Sequence, residues 1–285
     1  MYVTLEPCAH QGRQPPCVEA ILEAGIGRVV IASDDPSEKA AGRGPGILRD
    51  GGVEVAFASG AEATAARRLN QPFRKYSRTG LPLVVLKMAM SLDGQTATAP
   101  NDSPWISGPE SRDLVHRWRA ESDAIAVGIG TALADDPLLT GRVDGARQPL
   151  RIVFDRHARL PLDSQLLQTL DQAPVLVVTA PDAPTDRTAA LRDAGAEVLV
   201  ATSIESALRE LGSRNITSLF LEGGRTLASA FVAADQLDES RTFVAPMLIG
   251  GSEKGRDAVE RLVALEASTE QVGDDVLITA RFKEW

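Results

Sequence analysis

The sequence predicts an α/β protein in two parts, each a sheet whose strands alternate with helices, and three observations predict it. Runs of β-branched and aliphatic residues, at 28–32, 83–90 and 175–179 among others, recur between segments of helical periodicity. That alternation is the pattern of strands joined by right-handed crossovers. A polar, mostly helical connector at 61–77 ends in Thr79-Gly80 and Pro82, after which the pattern restarts. Basic, acidic, hydroxyl and glycine residues also collect at the ends of apolar runs between Leu86 and Arg142, where a parallel sheet exposes its loop edge.

The totals agree with this class. Of 285 residues, 44% are hydrophobic and 24% charged, enough for two modest globular domains. The net charge of −9 comes without a Lys/Arg cluster, which argues against a nucleic-acid partner. No apolar run is long enough to span a bilayer, and the start lacks a basic segment followed by an apolar core. No membrane partner and a cytoplasmic location are therefore expected. Only two cysteines occur, Cys8 and Cys17. In a reducing compartment such a pair points to a metal or to catalysis, with two small core residues as the plain alternative.

In chain order, residues 2–5 form a short strand leading into Glu6-Pro-Cys8-Ala-His10-Gln-Gly-Arg-Gln-Pro-Pro-Cys17, and residues 18–24 are helical. The prolines place Cys17 in the first turn of that helix, where amide N–H groups favour a thiolate. Strands at 28–32 and 53–57 enclose a short helix at 46–51, with turns at 34–37 and 41–44. Arg74, Lys75 and Arg78 close the connector, where cations complement a helix C-terminus. The break after it divides the chain into 1–79 and 80–285.

In the second part, residues 83–90 are apolar but for Lys87 and suit a strand covered on both faces. A lysine there is unfavourable unless paired or functional, and both readings stand. Residues 111–121 make an amphipathic helix carrying Trp118 and Arg119. A strand at 123–127 turns off through Gly128-Ile-Gly-Thr131. Further strands fall at 150–154, 175–179, 197–201 and 218–222, with helices at 185–194 and 204–212. Leu221-Glu222-Gly-Gly224 joins strand to helix through paired glycines, which let backbone amides approach a phosphate. Tight turns use such pairs too, and the string is neither a Walker loop nor the dinucleotide glycine motif. Residues 239–248, Gly250-Gly251 and 276–282 finish a mixed sheet as strands and a turn, placed antiparallel.

The string Pro7-Cys8-x-His10-x-Gly12-Arg13-x-Pro15-Pro16-Cys17 resembles zinc-dependent nucleobase deaminases, and more closely the deaminase half of bifunctional riboflavin-biosynthesis deaminase-reductases. The resemblance implies a partial cytidine-deaminase-like domain with Cys8 and Cys17 as zinc ligands. That family pairs such cysteines with an upstream His-x-Glu. The string is missing ahead of Met1, so deamination by the chain as written is not expected. A fragment, a start assigned too late and a domain kept for its shape are the open explanations.

From residue 83 onward the chain resembles the reductase domain of the same family, a mixed-sheet fold similar to dihydrofolate reductase. The matching strings are Lys87-x-Ala-x-Ser-Leu-Asp-Gly94, Trp105-Ile-Ser107, Gly130-Thr131, Ala134-Asp-Asp-Pro-x-Leu-Thr140 with Arg142, and Glu222-Gly-Gly224. The resemblance implies NADPH-dependent reduction of 5-amino-6-(5-phosphoribosylamino)uracil, and a homo-oligomer. Ser103, Ser107, Arg119, Leu139, Arg142 and Glu222 would line this phosphorylated ribosylaminopyrimidine, with Arg119 and Arg142 on its phosphate. Ala89, Trp105, Thr131, Asp135, Arg156, Gly224, Arg225, Thr226, Leu227, Ala228, Ser229 and Ala230 would line NADPH. Lys87 and Asp135 are the candidates for polarising and protonating the reacting centre. The alternatives are a reductase of this fold acting on another phosphorylated pyrimidine or pterin-like substrate, and a non-catalytic oligomerising protein.

Overall fold

The computed structural model describes every residue except Arg13, Lys39, Ala41, 97–104 and 251–261. The chain divides into two compact units, Met1–Leu81 with Trp285, and Pro82–Glu284.

In the first unit, β1 (Tyr2–Val3), β2 (Arg28–Ile31) and β3 (Glu54–Phe57) form a parallel sheet in that order. Helices α1 (Cys17–Glu23) and α2 (Arg43–Asp50) bury Val18, Ile21 and Leu48 against Val29, Ile31 and Val53. The helix expected from residue 46 begins earlier, at Arg43. Gly42 takes a left-handed φ of 71° at its N-cap, and a Cβ on Gly44 would lie 1.9 Å from the Pro7 carbonyl oxygen. Glycines that read as a turn are the start of a helix pressed on the Glu6-Pro-Cys8 segment. The connector becomes α3 (Gly60–Leu69) and α4 (Gln71–Thr79). Arg74 is buried in α4 rather than completing a helix end. It donates to Ser33 Oγ, to the Asp34 carbonyl and carboxylate, and to the Trp285 carbonyl.

The second unit contains β4 (Leu83–Ser91), α5 (Pro109–Glu121), β5 (Ala124–Gly128), α6 (Ile129–Asp135), β6 (Leu150–Phe154), α7 (Gln165–Gln168) and β7 (Val175–Thr179). It continues through α8 (Thr185–Asp193), β8 (Glu197–Val200), α9 (Ile204–Ser213), β9 (Ser218–Leu221), α10 (Arg225–Ala233), β10 (Glu239–Ala245), β11 (Glu266–Val272) and β12 (Asp275–Arg281). Among the described residues these strands form one sheet in the order β11-β12-β10-β4-β9-β5-β6-β7-β8. The central strands are buried on both faces, β7 along its whole length, as their apolar runs require.

Two features differ from the sequence expectation. β10 runs parallel to β4, because α10 carries the chain back across the sheet before β10 starts; among the described residues the antiparallel pairs are β10 with β12 and β11 with β12. β11 was not foreseen. It is a polar, exposed edge strand with no apolar alternation to mark it.

The strand order places the site. After β8 the chain returns to insert β9 between β4 and β5. Pairing of β4 with β9 stops at Leu86 and Leu221, whereas β4 continues beside β10 to Ser91. The sheet thus parts at the C-terminal ends of its parallel strands, where the strand order reverses, which is where open α/β sheets hold ligands. α5 is fixed over this edge by Trp118, which stacks on Phe243 at 5.6 Å and meets Phe220 edge-on at 5.9 Å. Asp275, from β12, caps the same helix through Gly108 N–H and Ser111 Oγ at 2.7 and 2.6 Å.

Candidate active site

Lys87 and Glu222 are the first residues beyond the last β4–β9 pair, so they occupy neighbouring positions where the strands part. Trp118 anchors α5 so that the next residue, Arg119, reaches Glu222 in a forked pair, Nε to Oε1 at 2.5 Å and Nη2 to Oε2 at 2.9 Å. Both side chains are mostly buried, 14% and 11% exposed. Burial alone would raise Glu222; Arg119, its hydrogen bonds and Lys87 outweigh that and hold the carboxyl below its ordinary range. Burial pushes Lys87 down, opposed by Glu222 and reinforced by Arg119. The result is an ionised carboxylate beside an amine whose hold on its proton is weakened by burial.

Arg119 therefore does not stand open to a phosphate, as the sequence suggested. Its fork is filled by Glu222, and Nη1 leans on the Thr140 carbonyl at 3.4 Å. Arg142 is the cation left over: exposed, and without a hydrogen-bond or ion-pair partner among the described residues.

Arg142 ends an unusual loop. Asp136, Leu139 and Arg142 have φ of 38°, 54° and 48°, the left-handed region. Each such residue costs about 1–2 kcal/mol when it is not glycine. Gly141 passes so close to α5 that a Cβ would sit 3.0 Å from that of Ala120. Leu139 is buried, so only its backbone can face a ligand. His116, which the sequence reading passed over, contacts the Thr140 carbonyl through Nδ1 at 3.3 Å. Burial, then Arg119 and Arg142, lower its pKa, so the imidazole is neutral near pH 7 and Nδ1–H donates. The expected helix already sets His116 one turn before Arg119; only the fold brings it to the Thr140 carbonyl.

On the β5 side, α10 starts at Gly224 with no side-chain cap and no acidic residue in its first turn. A Cβ on Gly224 would meet Thr131 Oγ1 at 3.8 Å, so α10 and α6 converge there. Arg225 reaches across to the Gly94 carbonyl at 2.8 Å. Leu227 packs beneath the turn on the Gly128 and Gly223 positions, and Ala228 is buried with its N–H on the Gly224 carbonyl. Thr226, Ser229 and Ala230 lie on the same helix. Ala89 follows Lys87 by two on β4, on the same face of the strand. Asp135 closes α6, and partial burial raises its pKa. The remaining predicted residues make their contacts elsewhere. Trp105 is exposed under the Arg112 guanidinium at 5.0 Å, Ser107 is buried with its carbonyl on Arg112, and Arg156 pairs with Asp182 at 3.9 Å. Ser103 lies outside the described residues.

An uncapped helix N-terminus with two glycines before it, free of acidic side chains, fits the pyrophosphate of a dinucleotide. The zinc reading fares differently. Cys8 and Cys17 sulfurs are 3.4 Å apart, but no three His, Cys, Asp or Glu side chains gather to hold a metal among the described residues. Two thiols are half of a zinc site. The hydrogen bond with Cys8, then burial, raises the Cys17 thiol.

Known proteins align with both units. The model of the RibD C-terminal domain matches residues 82–278. The riboflavin biosynthesis protein RibD of Actinobacillus pleuropneumoniae is 38% identical, over 97% of this chain and 77% of its own length. Acinetobacter baumannii RibD superposes with a TM-score of 0.82 at 35% identity, covering 99% of this chain and 80% of that one. A Thermotoga maritima structure, described as a diaminohydroxyphosphoribosylaminopyrimidine deaminase/5-amino-6-(5-phosphoribosylamino)uracil reductase, gives 0.83 at 32% identity, over 99% and 79%. With similarity of this extent running through both units, the chain belongs to the RibD family.

Proposed function

We propose that this chain reduces 5-amino-6-(5-phosphoribosylamino)uracil to its ribitylamino product with NADPH. The observation that carries the reading is the Lys87–Glu222–Arg119 constellation at the parting of β4 and β9, with Arg142, which has no partner among the described residues, two residues beyond the Thr140 carbonyl that Arg119 contacts. NADPH, when bound, supplies the hydride. The first amides of α10, with Gly224 and Thr131, would hold its pyrophosphate, and Ala89, Trp105, Asp135 and Arg156 remain the candidates for the rest of it.

The chain's own groups divide the remaining work. Arg142 holds the substrate's phosphate through charge-assisted hydrogen bonds. Glu222 accepts a hydrogen bond from a hydroxyl of the opened ribose, and Arg119 keeps that carboxylate ionised and aimed. Lys87 hands a proton to the reacting centre from Nζ, because burial weakens its hold on it. Asp135, at the end of α6 and outside the Lys87–Glu222–Arg119 constellation, is the less suited donor. Zinc-dependent deamination has no part in this proposal.

The test compares initial rates of NADPH oxidation with the phosphorylated aminouracil and with its dephosphorylated form. Turnover of the first, with a far higher KM for the second, is expected. Equal use of both would favour a reductase of this fold acting on an unphosphorylated pyrimidine or pterin-like substrate.

A further inference from the structure

We propose that Gln165 and Arg151 are positioning residues for the substrate's phosphate: they lock residues 136–142 in the left-handed path that presents Arg142. The inference rests on the reading of Arg142 above and adds two residues that touch no ligand.

Three non-glycine residues in the left-handed region within seven positions form a path that L-residues abandon unless it is held. Here it is held from separate elements. At the start of the loop, Gln165 Nε2 donates to the Asp136 carbonyl at 2.7 Å, and Gln165 N–H donates to Asp136 Oδ1 at 2.8 Å. In the middle, Arg151 donates from Nη1 to the Leu138 carbonyl at 3.2 Å. Arg151 is wholly buried in β6, and the same guanidinium bonds Thr169 Oγ1, the Thr169 carbonyl and the Ala173 carbonyl. It therefore ties the loop to the segment that follows α7. Towards the end, Gln148 Oε1 accepts from Gly141 N–H at 2.9 Å, and Arg119 and His116 hold the Thr140 carbonyl.

Asp136, Leu138, Thr140 and Gly141 are thus each tethered, whereas Arg142 has no partner among the described residues. A stiff loop ending in one free cation binds an anion without first having to be ordered, which keeps affinity high. Two of the elements that stiffen it, β6 and α7, lie outside the motif strings.

The experiment measures KM and kcat for the phosphorylated aminouracil, KM for NADPH, and ribose 5-phosphate affinity by calorimetry. The variants are Gln165→Met, which keeps the length but loses the amide donor, and Gln165→Lys, which restores a donor. Gln165 is exposed, so both are expected to fold; Arg151→Lys, with its melting temperature recorded, is the buried counterpart. Gln165→Met should raise KM for the phosphorylated substrate and weaken ribose 5-phosphate binding about tenfold, the worth of one well-placed hydrogen bond. Turnover and KM for NADPH should stay within about twofold, and Gln165→Lys should recover most of the loss. Unchanged KM and affinity in Gln165→Met overturn the proposal, as does a loss in which kcat and KM for NADPH move together. If ribose 5-phosphate binding responds as expected while the wild type fails to reduce the aminouracil, the positioning role stands and the assigned reaction falls. If the wild type turns over and the Gln165 variants match it, the positioning role alone falls.

Discussion

Glu222→Gln is expected to lower kcat/KM for the phosphorylated aminouracil by about a hundredfold or more and to shift its pH profile. The substitution keeps the shape of the side chain but removes the charge that Arg119 and Lys87 face. Removing one partner of a mostly buried pair costs about 3–5 kcal/mol, because the other charge is left uncompensated. Part of this will appear as lost stability and part as misplacement of Arg119. The sign of the pH effect follows from Lys87. Its pKa is already depressed by burial, and Glu222 is the influence that raises it. Without that carboxylate the pKa falls further, the proton is lost at lower pH, and the alkaline limb of kcat/KM moves down. Stability carries a matching signature. Glu222 titrates below its ordinary 4.5 in the folded state, so the pair's contribution is present above that value and is lost as pH falls through the lowered one. The variant should lack this acid-side step in a denaturation series. A profile and stability curve that overlay the wild type would remove Glu222 from the site.

Arg142→Ala should act on binding instead. We expect KM for the phosphorylated substrate to rise about 10- to 100-fold, as for a lost charge-assisted hydrogen bond, with kcat changed only a few-fold. Arg142 is exposed, and the described structure gives it no partner, so its removal leaves no buried group stranded. Melting temperature should therefore hold, which separates this variant from Glu222→Gln. An unchanged KM would show that the phosphate lies elsewhere.

The contrast between these residues shows what was legible beforehand. Lys87 stood out because a charge in a continuous apolar strand demands a reason, and Glu222-Gly-Gly224 because paired glycines after a strand mark a close turn. Strands such as β6 and β7 were readable from their β-branched runs. What could not be read is whatever depends on chain path. Arg119 and Glu222 are 103 positions apart, and no spacing rule announces that one fills the other's fork. β10 carries the same apolar pattern in either direction, and its parallel course follows from the crossover through α10. β11 is polar on both faces, so no periodicity revealed it. The left-handed backbone at Leu139 and Arg142 was hidden for a related reason: those residue types do not favour it, and tertiary hydrogen bonds impose it, whereas Asp136 caps α6 in a conformation that Asp tolerates. His116 was missed because a lone histidine on a helix carries no local signal.

The most direct measurement of the central claim is to supply NADPH bearing deuterium at its transferable position and to analyse the product by mass spectrometry. The account predicts a ribitylamino product that carries the deuterium at C1′, formed in step with NADPH consumption. Folded protein that leaves the phosphorylated aminouracil unreduced, or a product without the label, would contradict it.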